Sequence, residues 1–144
     1  MSSTFAALPD FKNYPVTSYT GPIASLSIQQ DMEPDREHLE QALQEPIGFA
    51  GEYVMAQWSC GTACSTYTFV NKRTGKVLTP YIGPKLNEHV DEIHANSTLL
   101  ISKVELLHAN PEAPSYWRYY YVLNQQKLKK IAQQEITQDE FYAE

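Results

Sequence analysis

The chain has 144 residues, 42% hydrophobic and 12% aromatic, and its 17 acidic against 11 basic side chains leave a formal charge of −6. That length fits one domain, which at this size buries roughly 68–70% of the surface its unfolded chain exposes, so no staple is needed for size alone. The acidic balance argues against nucleic acid or an anionic membrane as main partner, since both reward clustered lysine and arginine; it suits a solubility charge or a basic protein partner.

In chain order, residues 1–21 carry Pro9, Pro15 and Gly21 without a clear period, and read as an extended arm over a domain spanning 22–133. Ile23 to Ile28 alternates apolar with small or polar residues and predicts a short strand. A helix follows. Asp31 offers an N-cap, Pro34 sits near the first helical position, and Glu33, Asp35 and Glu37 place negative charge at the positive end of the dipole. Leu39, Ala42 and Leu43 form its apolar stripe, and Pro46 with Gly48 stops it.

From Phe49 the period changes to two. Val54, Ala56 and Trp58 share one face while Tyr53, Met55 and Gln57 share the other; after a short loop, Tyr67 and Phe69 alternate with Thr66, Thr68 and Val70. Asn71 to Lys76 is a turn, with Asn71 able to start it and Gly75 free to take positive φ, so that Val77 to Ile82 should pair back as the third strand of a meander. Gly83 to Asn96 is polar and mixed, a loop or short helix. Thr98 to Leu107 and Tyr116 to Leu123 are strands separated by a turn at Asn110 to Ser115. Asn124 to Gln126 turns again, Lys127 to Ala132 returns as an edge strand guarded by lysines, and residues 134–144 are an acidic tail forming a helical turn or fraying. The fold class is therefore α+β: a single domain, mainly antiparallel sheet of about six to seven strands, with one principal helix packed on it.

The chemistry centres on Cys60 and Cys64, the only two cysteines. Extended chain would hold their Cα atoms roughly 13–14 Å apart, whereas a disulfide needs about 4.4–6.8 Å, so a bond requires the chain to reverse between them. Gly61, Thr62 and Ala63 permit that reversal, and in a hairpin the cysteines would be a cross-strand pair. Three readings follow: a structural disulfide at a hairpin tip, a redox dithiol, or a zinc site. A redox pair favours a two-residue spacer at a helix start, and zinc needs two further ligands, for which His38, His89, His94 and His108 are never tightly paired. No GxSxG elbow, phosphate-cradling glycine loop or HExxH helix is present. The neighbouring acids Asp91 and Glu92, or Asp139 and Glu140, sit in polar segments and read as solvated. No catalytic residue, metal or cofactor is expected. The aromatic run Tyr116, Trp117, Tyr119, Tyr120 and Tyr121 is either sheet core or a stacking platform, and Trp58 either packs beneath the loop or stands beside it as an anchor.

No run approaches the roughly 18 apolar residues of a spanning helix, so membrane insertion is not expected. The first residues lack the basic start and apolar core of a secretory leader, which taken literally means a cytoplasmic protein. Two close cysteines and no other thiol favour an oxidising compartment, with any leader already removed.

Three motifs in order, Phe49-Ala50-Gly51-Glu52-Tyr53, Trp58-Ser59-Cys60-Gly61-Thr62-Ala63-Cys64 and Thr74-Gly75-Lys76-Val77, resemble the FAGxY, WxCGTxC and TGKV pattern of a family of small uncharacterised bacterial envelope proteins. The segment Phe11 to Val16 is similar to that family's mature start. The resemblance implies export and brings no activity. More distantly, the strand, cysteine loop and strand layout resembles the periplasmic inhibitor of vertebrate lysozyme, although Gly61, Thr62 and Ala63 stand where that family has a loop of different spacing with a central histidine. The expected function is a periplasmic or secreted module that presents Trp58, Cys60, Gly61, Thr62, Ala63 and Cys64 to a protein partner. An inhibitor or immunity protein against a basic cell-wall hydrolase or toxin fits this description. The alternative is a thiol-based redox protein or enzyme using Cys60 and Cys64.

Overall fold

The structure is a computed structural model that describes residues 7–84, 86–107 and 112–143. His108, the start of the turn expected at 110–115 and the first six residues lie outside the described residues. The fold is α+β, built from two antiparallel sheets. Strands β1 (Tyr53–Gly61) and β2 (Cys64–Asn71) form a two-stranded ribbon; β3 (Asn87–Ile93), β4 (Leu99–Leu106), β5 (Ser115–Asn124) and β6 (Lys127–Ile136) form a meander in that order. The principal helix is α1 (Arg36–Leu43), and a five-residue helix, α2 (Gln138–Tyr142), follows β6.

Period-two alternation on β1 and β2 separates two cores. Val54 and Ala56 with Val70 meet Leu39, Ala42 and Leu43 of α1, while Tyr53 and Phe69, on the opposite face, meet Phe49, Leu78 and Leu100 of β4. The ribbon is thus the middle of three layers, with α1 on one side and the meander on the other. Burying a leucine or phenylalanine of this kind stabilises by about 1.5–3 kcal/mol, which is why a mean apolar fraction suffices once it is sorted by face. The outer face of the meander is covered at one end by Phe11 and Tyr14 of the N-terminal segment, against Leu99, Ile101 and Tyr120, and at the other by Phe141 of α2, against Tyr116 and Ile136.

Several expectations need correction. Asp31 caps nothing: a 3₁₀ stretch (Gln30–Asp35) containing Pro34 precedes α1, whose N-cap is Asp35 without a side-chain capping bond. The ring of Pro34 disfavours α geometry at Glu33, so the helix starts only after it. Ile23 to Ile28 joins no ladder; it crosses the 71–76 turn instead, with Ala24 N–H donating to the Lys72 carbonyl at 2.8 Å and Ser27 N–H to that of Gly75 at 2.9 Å. Gly75, at φ 78°, permits the crossing because a Cβ there would collide with the Ser25 carbonyl. The turn itself is as expected, Asn71 Oδ1 accepting from the N–H groups of Arg73 (2.7 Å) and Thr74 (3.2 Å).

Val77 to Ile82 contributes only isolated bridges, Val77 to Val70 and Ile82 to Tyr67, since Pro80 has no N–H to continue a ladder. In place of a loop or helix at 83–96 stands β3, whose register against β4 slips between Val90 and Glu92. At the C-terminal end, β6 runs on to Ile136, and α2 is held by a capping box between Thr137 and Glu140.

Candidate functional site

The disulfide is formed, with Cα atoms 5.2 Å apart, but it does not join a direct cross-strand pair. Gly61 faces Cys64 and Ser59 faces Ser65 in the register, so Cys60 is the extra residue of a bulge and its bond to Cys64 is diagonal. The bulge re-aims Cys60 within the strand. Thr62 and Ala63 make the turn, with positive φ at Ala63 (55°) and at Gly61 (137°). Ser59 through Ala63 are exposed, whereas Thr66 to Asn71 at the base are buried. No charged side chain lies between Ser59 and Ser65. Both cysteines sit on strands rather than at a helix start, the position that lowers a thiol pKa.

Trp58 does not belong to the exposed tip. Its indole stacks on the His38 imidazole of α1, ring centroids 4.6 Å apart and 3° from parallel, and meets the Tyr81 ring edge-on at 5.6 Å. Tyr81 in turn donates to Asp35 Oδ2 at 3.1 Å, and its phenol pKa is pushed up to about 12 by burial and by the Asp35 carboxylate. Trp58 therefore ties the root of the hairpin to α1 and to the returning segment.

Beside the tip lie two adjoining clefts. The first, of about 410 Å³, runs between the returning segment (Leu78, Pro80, Ile82), Leu86 and the β5–β6 hairpin (Tyr121, Lys127, Leu128). The second, of about 330 Å³, lies against Ala63, Cys64, Ser65 and Tyr67, and Gly83, Leu86 and Glu88 line both. Gly83 (φ 117°) passes so close over β2 that a Cβ would strike the Ser65 carbonyl oxygen.

Glu88, on β3, is buried and accepts hydrogen bonds from Ser102 and Tyr121 on β4 and β5. Burial and the Glu88 charge raise the Tyr121 phenol well above its ordinary pKa, so it remains a donor. Nothing in the linear sequence singled out Glu88 or Ser102, and Tyr121 stood out only as one ring of the aromatic run, with no sign of a carboxylate partner. The only available signal was the period-two spacing of Glu88 and Val90 in a stretch otherwise too polar to read as a strand.

The described histidines do not converge: His38 stacks on Trp58, His94 bonds Glu92, and His89 packs on Phe141. Among the described residues, no group of three or more histidines, cysteines and acids could hold a metal. The aromatic run divides between faces, Tyr120 packing with Leu99 and Ile101 on the outer face and Tyr121 against the ribbon, so it makes no single platform. Among the described residues no helix is long and apolar enough to cross a membrane. Compared against protein-family models, curated proteins and solved structures, the chain matches none of them.

Proposed function

We propose that the protein is a periplasmic or secreted binding module that inserts its disulfide-closed hairpin tip into the cleft of a protein partner, a basic cell-wall hydrolase being the best fit. The observation that supports this reading is the contrast along one hairpin: a base buried on both faces, and a tip that is exposed, uncharged and covalently closed. A tip already ordered before contact loses less conformational entropy on binding. The formal charge of −6 supports a basic partner through steering rather than through contacts at the tip. The resemblance of the ordered motifs to envelope proteins, and a disulfide compatible with an oxidising compartment, support export.

The test is a titration of basic peptidoglycan hydrolases, vertebrate lysozyme among them, with the purified protein. Saturable inhibition with Kd at or below about 1 μM is expected, weakened about tenfold or more by Thr62→Arg, which places a bulky cation on an exposed turn without touching the core. Inhibition equal in wild type and Thr62→Arg, or none of any hydrolase, overturns the reading.

A further inference from the structure

Glu88 is 9% exposed and stands where the two clefts meet. Ser102 Oγ donates to it at 2.5 Å and the Tyr121 hydroxyl at 2.7 Å, both to the same oxygen, Oε2. Among the described residues no hydrogen bond or ion pair reaches Oε1. Neutral hydroxyls fix a carboxylate in place but bring no opposite charge, and burying a charge without a counter-ion is costly.

Among the described residues, the lysines on the neighbouring strands are committed elsewhere or stand outside. Lys103 lies on the other face of β4, donating to the Glu140 and Ala143 carbonyls at 2.8 and 3.0 Å and sitting 3.5 Å from Asp91. Lys127 is exposed at the β5–β6 turn, forming part of the wall of the larger cleft. The remaining walls are mainly apolar (Leu78, Pro80, Ile82, Leu86 and Leu128), and the volume of about 410 Å³ is that of a small-ligand site.

We propose that this cleft binds an organic cation, an ammonium or guanidinium group on an apolar stem, with Glu88 as its counter-ion, the apolar walls enclosing the stem, and Lys127, which also lines the cleft, receiving an anionic group. A long-chain amino acid carrying both charges is thus preferred to a simple amine. The two hydroxyl donors on Oε2 leave Oε1 as the acceptor for the ligand, and the raised pKa of Tyr121 keeps its proton in place while it does so. This site stands on Glu88 and its surroundings, and holds whether or not the hairpin tip engages a protein.

The experiment is a titration of the amide resonances of Gly83, Leu86 and Leu128 with ε-aminocaproate, hexylamine and caproate. ε-Aminocaproate is expected to saturate with Kd below about 10 mM, hexylamine to bind more weakly, and caproate not to bind. Glu88→Gln keeps the size and one acceptor for the two hydroxyls but removes the charge, and should weaken both amines about tenfold or more. Lys127→Gln should abolish the advantage of ε-aminocaproate over hexylamine. No saturation by either amine, caproate binding as tightly as the amines, or amine affinity unchanged in Glu88→Gln overturns the proposal. The wild-type series decides even where Glu88→Gln does not fold.

Discussion

Single residues set the site by what they leave out as much as by what they add. Gly83 lets the returning segment pass over β2, because at φ 117° and against the Ser65 carbonyl there is no room for a side chain. Gly83→Ala is therefore expected to destabilise by about 1–3 kcal/mol, read as a fall in urea midpoint at unchanged m-value; a change of only a few tenths would contradict the close approach. Leu39, Ala42 and Leu43 were legible because their own helical spacing marks one apolar face before any partner is known, and Asn71 because the N–H groups it accepts from lie two and three positions on. Glu88 was not, since its partners lie 14 and 33 residues away and only the sheet brings them together. Trp58 was legible as important but not as to direction: alternation gave its face, while the stacking partner His38 comes from a different element.

Among elements, strands with clean alternation were readable and those with interrupted ladders were not. In β3 the register slip between Val90 and Glu92 places Val90 and Ile93, three residues apart, in the same core, which hides the period of two. Ile23 to Ile28 erred in the other direction, its alternation arising from Leu26 and Ile28 packing against the α1 core while the backbone bonds to a turn. The short helix α2 illustrates how few contacts hold a five-residue element: its capping box, the Lys103 ammonium on its last carbonyls, and Phe141 packed on Tyr116 and the His89 ring.

Burial, the largest influence, lowers the His89 pKa, with Lys103 adding to the shift and Asp91 and Glu88 opposing it. An unfolded chain then binds a proton near pH 6.5 that the folded chain refuses, so the stability linked to His89 is complete above about pH 6.5 and declines as pH falls toward the lower folded value. Urea midpoints at about pH 7.5 and about pH 5 should differ more in wild type than in His89→Gln. Equal differences in the two proteins would mean that His89 titrates alike folded and unfolded.

At the scale of the whole molecule, the ribbon between α1 and the meander anchors a hairpin whose far end stands free. Composition and alternation together were enough to identify an α+β domain of mainly antiparallel sheet, because sorting apolar residues by face is a local property. The division into a two-stranded ribbon and a four-stranded meander depends on contacts across the chain, and so was out of reach. The diagonal path of the disulfide was equally hidden: spacing allows a bond between Cys60 and Cys64, while the bulge that offsets them exists only in the register.

The ring is short, so its loss should remove only about 2 kcal/mol from a domain of this size, and a stiff tip is its larger effect. The most direct measurement pairs hydrolase inhibition with melting temperature in the double variant Cys60→Ser, Cys64→Ser. The protein should still melt cooperatively, about 6–10 °C lower, while inhibition weakens by more than about tenfold; the same drop in melting temperature with inhibition unchanged would contradict a recognition role for the closed hairpin.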